Sequence, residues 1–239
     1  MSNYVISDIH GQYKTYKRML RAINLKAEDT LYVLGDVIDR GSDGIKILND
    51  MMKRPNVVMF LGNHELLMLD ALKNLSEYRS GECDDLDDMD LWLDPCNGGK
   101  RTYEAFLELS SAKKKELVQY LENAYVAYNV TIGKQKYHLS HAYVCDKKVG
   151  GGIRYKDLTH RQAWDAVWVN IYDRAFLAKN AAHLFPNKKA IYIAGHTFTQ
   201  RLDCIDTKGR GMIYHNRNYQ GYHVYNIDCG MALMNKSSQ

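Results

Sequence analysis

Five short polar clusters, each placed where an apolar run ends, constrain this chain more than any other feature. Asp8-Ile9-His10-Gly11 follows the run Tyr4–Ser7, Gly35-Asp36-Val37-Ile38-Asp39-Arg40-Gly41 follows Thr30–Leu34, and Gly62-Asn63-His64-Glu65 follows Val57–Leu61. Two more, Ser140-His141-Ala142 and Gly195-His196-Thr197, close the runs Lys136–Ser140 and Ala190–Ala194. Between the first three runs, Tyr16, Met19, Leu20 and Ile23 recur at helical spacing, and so do Ile45, Leu48 and Met52. Each set therefore lies on one face of a helix. Strand and helix in alternation predict a βαβαβ unit with a parallel sheet. The carboxyl ends of parallel strands open onto a common crevice, so the clusters converge.

The rhythm breaks at 76–99, where Glu82, Asp84, Asp85, Asp87, Asp88, Asp90 and Asp94 crowd together with Trp92 and Leu93. This stretch reads as part of a helical or loop insertion at about 76–123, its acids solvated and its tryptophan packed or offered to a base. Helical spacing returns at Tyr103–Leu109 and Lys113–Leu121. Val126–Ile132 and Lys136–Ser140 then alternate around Gly133-Lys134 as a hairpin does. A helix is expected over Thr159–Leu184, and strand-like runs at Leu202–Asp206, Gly211–Tyr214 and Tyr222–Asp228 make the last third largely β. No repeat or linker interrupts residues 1–239, which are expected to form one domain.

With 46% hydrophobic and 25% charged residues the chain is ordinary for a globular protein, and disorder or a disulfide scaffold is excluded. A net charge of +4 is too small a surplus for a nucleic-acid footprint. Five scattered cysteines with no C-x-x-C pair fit a reducing compartment. The first residues lack the basic and apolar regions of a signal peptide, and no apolar run approaches the ~18 residues of a membrane span. A cytoplasmic protein acting without a membrane is expected.

The side chains in the clusters are oxygen and imidazole donors without thiolate, a set suited to Mn, Fe, Zn, Mg or Co. They are too many for one open site. Two metals ~3.5–4 Å apart need a bridging carboxylate and clamp the attacking and leaving oxygens of a phosphoryl displacement. Asp36, central in the series, is the natural bridge.

In order along the chain, Ser7-Asp8-Ile9-His10-Gly11, Gly35-Asp36-Val37-Ile38-Asp39-Arg40-Gly41, Gly62-Asn63-His64-Glu65, Ser140-His141-Ala142 and Gly195-His196-Thr197 resemble the successive motifs of the PPP-type metallophosphatases. Asn97-Gly98-Gly99 and Ile227-Asp228 extend the resemblance to the small bacterial and phage members, which include serine/threonine phosphatases and symmetrical diadenosine tetraphosphatases. The resemblance implies a calcineurin-like α/β fold, a four-layer α/β/β/α sandwich of two mixed sheets. It also implies two divalent metal ions, manganese foremost, with Asp8, His10 and Asp36 on the first and Asp36, Asn63, His141 and His196 on the second. His64 would protonate the leaving group, Asp39 would orient it, and Arg40 would grip the phosphate with Asn63. A water activated between the cations would attack in line, without a phosphoenzyme. Gly35 and Gly41 would allow tight turns.

The sequence departs from its relatives at Trp168-Val169-Asn170, where many carry a second phosphate-binding arginine. Arg174 is the expected substitute, with Arg154 and Arg161 as alternatives. Three functions remain open at this point. A serine/threonine phosphoprotein phosphatase comes first, symmetrical hydrolysis of diadenosine tetraphosphate or a related nucleotide second, and an inactive binding module last. The complete set of Asp8, His10, Asp36, Asp39, Arg40, Asn63, His64, His141 and His196 favours an enzyme.

Overall fold

A computed structural model describes residues 1–172, 179–180, 182–202, 211–216 and 221–232. Three strands, β1 (Asn3–Ile6), β2 (Thr30–Val33) and β3 (Val57–Met59), form a wholly parallel sheet in the order β1-β2-β3. Helices α1 (Tyr13–Ala22) and α2 (Gly44–Met52) make the crossovers, as the alternation of the sequence requires. Tyr16 and Leu20 of α1 and Ile45, Leu48 and Met51 of α2 are buried, so Met51 rather than Met52 completes the second apolar face.

The second sheet is mixed and six-stranded among the described residues, in the order β6-β4-β5-β7-β9-β8. Its strands are β4 (Tyr125–Ile132), β5 (Gln135–Ser140), β6 (Gly152–Arg154), β7 (Ile191–Ala194), β8 (Tyr214–Asn216) and β9 (His223–Asn226). The expected hairpin is β4–β5, antiparallel with Ile132 opposite Gln135. Strands β5, β7 and β9 run parallel, which brings the ends of β5 and β7 to one side.

The period-2 alternation of side chains assigns the layers. On β2, Leu31 and Val33 join the helix-side core, whereas Tyr32, with Leu34 beyond it, meets Leu139, Tyr128 and Ile193 between the two sheets. On β7, Ile193 points into that central layer while Tyr192 and Ala194 pack outward against Ile171, Tyr172, Leu184 and Phe185. The result is the α/β/β/α order. Phe60 pairs with Tyr125 as an isolated parallel bridge, and the Leu61 N–H donates to the Tyr125 carbonyl at 2.7 Å, joining the two sheets at the edge of β3.

The acidic stretch is less of a loop than its composition suggests. Helix α3 (Asn63–Ser80) ends at Gly81, whose φ of 78° is the left-handed cap that glycine supplies without strain. A short helix α4 (Asp87–Leu93) follows, then α5 (Lys100–Leu107) and α6 (Ser111–Glu122), the last capped by Ser110. The acids Asp87, Asp88 and Asp90 are exposed, but Met89 and Trp92 lie in the core. Trp92 is therefore not available to a base.

The expected helix over Thr159–Leu184 stops early. Helix α7 (His160–Trp168) begins with a capping box between Thr159 and Gln162 and ends where Val169 turns extended. The Asn170 side chain accepts the Tyr172 N–H at 2.9 Å, a local turn that competes with helix continuation. Residues 173–178 and 181 of that expected helix lie outside the described residues, as do 203–210, whereas 179–180 and 182–184 are helical again.

Candidate active site

The strand ends deliver the clusters to one place. Among the described residues seven non-glycine residues have positive φ, and six of them are Asp8, His10, Asp36, Asp39, Arg40 and His196. That conformation costs roughly 1–2 kcal/mol for each L-residue. Strain of this kind persists only where surrounding contacts over-determine it, and it gathers at functional sites.

Those contacts are visible around the loop after β2. The buried Glu65 carboxylate accepts N–H bonds from Asp36 (2.8 Å), Val37 (2.8 Å), Ile38 (3.2 Å) and Gly62 (2.9 Å). Thr102 Oγ1 accepts the Asp39 N–H at 3.0 Å, and the Gly98 carbonyl accepts the Arg40 N–H at 3.1 Å. Trp92 Nε1 donates to Asp39 Oδ2 at 3.0 Å. The segment that interrupts the sequence rhythm is thus a clasp on the Asp39–Arg40 turn. Glycine at 62 is obligatory, because a Cβ there would strike the Asp36 carboxylate; at 195 it would strike that of Asp8. Gly35 turns at φ 81°, whereas Gly41 serves by close approach to the backbone of His10 and Gly11.

Asp36 sits at the centre. Donor atoms of His10, Asp36 and His64 lie within 4.8 Å of one another, and so do those of Asp8, Asp36 and His141. His141 donates from Nδ1 to the Leu34 carbonyl at 2.6 Å, and His10 from Nδ1 to the Ile38 carbonyl at 3.1 Å. These bonds fix the tautomers and leave both Nε2 lone pairs facing inward. His141 Nε2 faces Asn63 Oδ1 at 3.0 Å and Asp36 Oδ1 at 3.5 Å, while His10 Nε2 faces Asp36 Oδ2 at 3.6 Å. His196 Nδ1 reaches the same Asn63 oxygen at 2.9 Å, and its N–H donates to Asp8. Acceptor atoms converging on acceptor atoms call for cations between them.

The electrostatics agree. Burial lowers the pKa of His10 and His141 and takes that of His196 to about 3, so these rings are neutral. Burial, then Asp228 and Asp36, push Asp8 well up; burial takes Asp228 to about 6. Burial opposes the charge of Asp36, and its pKa is nevertheless held low by positive charge on the histidines around it, of which only His64 has its own pKa raised. The donor set, hard oxygens with neutral imidazoles, fits divalent metal ions.

His64 is placed differently. Its Nδ1 donates to Asp39 Oδ2 at 2.8 Å, and its buried Nε2 has no hydrogen-bond partner among the described residues. Burial opposes its charge, but Asp36 and Asp39 outweigh burial and raise its pKa. Arg40 lays Nη1 3.1 Å from His10 Nε2. Of the arginines considered for a second phosphate contact, Arg154 is spent on the Asn123 carbonyl and Tyr125, and Arg161 is exposed beside Asp165. Arg174 lies outside the described residues.

Several contributors carry no signal that spacing could detect. Glu65 was visible only as the last letter of a motif, Thr102 not at all, and Asp228 only as part of a closing motif. Trp168 sits edge-on to His196 with centroids 5.9 Å apart and stacks on Trp164 at 5.3 Å.

Comparison with known proteins now assigns the class. A family model described as Calcineurin-like phosphoesterase matches residues 1–200, and the chain belongs to that family of metallophosphoesterases. Among curated proteins it is similar to the symmetrical bis(5'-nucleosyl)-tetraphosphatase of Wigglesworthia glossinidia brevipalpis, 42% identical over 82 residues, which is 32% of this chain and 30% of that protein. The protein of the same description from Proteus mirabilis is 33% identical over 78 residues, 32% of this chain and 29% of the other. The matched stretch thus spans less than a third of these relatives' length. A serine/threonine phosphatase structure from Saccharomyces cerevisiae overlaps 95% of this chain and 69% of its own with a TM-score of 0.49 and 14% identity. No described helix is long and apolar enough to cross a membrane.

Proposed function

We propose that the protein is a dimetal phosphohydrolase that cleaves a dinucleoside tetraphosphate symmetrically, adding water to give two nucleoside diphosphates. The observation that carries the phosphohydrolase reading is Asp36, the carboxylate common to two clusters of inward-facing donors. The nucleotide substrate rests on the curated relatives described as symmetrical bis(5'-nucleosyl)-tetraphosphatases. They weigh against the phosphoprotein substrate that the motifs alone put first, and diadenosine tetraphosphate takes its place.

Asp8, His10 and Asp36 would hold one divalent cation, and Asp36, Asn63, His141 and His196 the other. The pair supplies a lowered water pKa and positive charge for the phosphoryl oxygens. The chain's own groups do the rest. Arg40 presents a planar fork to the phosphate, and its turn is set by the Gly98 carbonyl. His64, its pKa raised by Asp36 and Asp39 against burial, gives a proton from Nε2 to the departing diphosphate oxygen, which leaves with the P–O bond electrons. Asp39 keeps the ring oriented.

The test is kcat/KM for diadenosine tetraphosphate and for a phosphothreonine peptide in one Mn-containing buffer, with products identified. Two ADP per dinucleotide and a large preference over the peptide are expected. ATP and AMP as products, or a preference for the peptide, would overturn the reading.

A further inference from the structure

A second feature adjoins the site and is not used by the chemistry above. A cleft of ≈ 740 Å³ opens beside Arg40, lined among others by Gln12, Lys14, Asp43, Lys100 and Arg101. Lys14, Lys100 and Arg101 are exposed and form no ion pair among the described residues, and Asp43 is the one carboxylate in the lining. Gln12 Nε2 is buried with no hydrogen-bond partner among the described residues. The first residues of α1 and α5 line the same cleft, and neither helix has an acid in its first turn or a side-chain cap. Their positive ends are therefore not neutralised locally. The lining offers charge-assisted donors in excess, with Arg40 shared between cleft and centre.

We infer that this cleft binds the phosphates that flank the scissile one, so that Lys14, Lys100 and Arg101 are specificity residues for a polyphosphate chain over a monophosphate. This deepens the proposed function and rests on it for the identity of the substrate. The argument is one of charge and reach. A single phosphate can be neutralised by Arg40 and the cations, whereas a chain of four carries further charge away from the centre. The cleft includes Arg40 of the centre and adds the cations Lys14, Lys100 and Arg101 beside it. A planar guanidinium and two flexible ammoniums suit successive phosphoryl groups.

The experiment is titration calorimetry of the metal-loaded protein with inorganic tripolyphosphate and with orthophosphate at constant ionic strength. Wild-type protein is compared with a Lys100→Gln/Arg101→Gln double variant and a Lys100→Arg/Arg101→Lys control. The double variant should bind tripolyphosphate roughly tenfold more weakly with orthophosphate unchanged, as expected for lost charge-assisted contacts, and the control should recover most of that affinity. Unchanged tripolyphosphate affinity, or equal losses for both anions, would overturn the inference. Turnover of diadenosine tetraphosphate by wild type is measured separately. A protein inert to the dinucleotide yet losing only tripolyphosphate affinity in the double variant would sink the function and keep the cleft.

Discussion

The loop after β2 and the loop after β7 both end in site residues at positive φ, but they are held by different means. Residues 35–41 are fastened through their backbone largely by groups whose side chains take no part in the donor cluster, Glu65, Thr102 and the Gly98 carbonyl, with His10 adding a bond to the Ile38 carbonyl. His196 is fastened chiefly by Asp8, through its N–H, and by Asn63, through its ring. Those two partners are themselves expected metal ligands. One half of the site is therefore built in advance by packing, while the other is arranged by groups that a cation would share. Preorganisation should be strong on the first side and metal-dependent on the second.

The largest expected effect breaks both halves together. Asp36→Asn should remove metal and activity at once, exceeding the ~10²–10⁴-fold loss expected from deleting a general acid. Metal analysis beside turnover checks it, and a variant that kept its metal and its rate would refute the central placement of Asp36. His64→Asn should lose about 10²–10⁴-fold in kcat on an alkyl phosphate with metal content retained. Loss confined to substrates with poor leaving groups would sharpen the assignment further.

Glu65→Gln tests the first loop alone. An amide there turns N–H groups toward backbone N–H groups, so the variant should lose roughly 1–3 kcal/mol of stability. Its activity or metal affinity should fall by about 10–100-fold, the range for groups that orient ligands. A urea midpoint and a metal titration would report both. Chelation tests the second loop. Removing metal should raise amide hydrogen exchange at 195–196 while 36–40 stay protected, and equal deprotection of both loops would erase the distinction.

The effect that leaves activity untouched concerns the sheet that carries the second loop. His138 on β5 is buried beside Tyr143 and Tyr192, and burial lowers its pKa to about 4. Its contribution to stability is complete above the unfolded value near 6.5 and is lost as pH falls toward 4, because the unfolded chain binds the proton first. The loss is about 3 kcal/mol from that shift. His138→Gln should flatten the fall in urea midpoint between pH 6.5 and 4 and leave activity at neutral pH unchanged.

What the sequence made legible follows the same division. The five clusters could be placed because strand ends are local: an apolar run, then a turn, then polar residues of definite type. Asp8, His10, Asp36, Asn63, His64, His141 and His196 all arrive at one place because parallel strands align their carboxyl ends. The clasp was not legible. Trp92 and Thr102 meet Asp39 across separations of 53 and 63 residues, and no periodicity announces a contact of that range. A run of aspartates marked 84–94 as solvated and left Trp92 within it either packed or open to a base, and the packing shows it as core. The helix expected through Trp168 and beyond shows the reverse failure, where apolar spacing continued but Asn170 offered the backbone another partner.

The account stands most directly on the shared carboxylate. Electron paramagnetic resonance of the protein titrated with Mn, with bound metal counted, should give two ions per chain coupled to each other, and Asp36→Asn should abolish the coupling. A single ion, two uncoupled ions, or coupling that survives without the Asp36 carboxylate would contradict it.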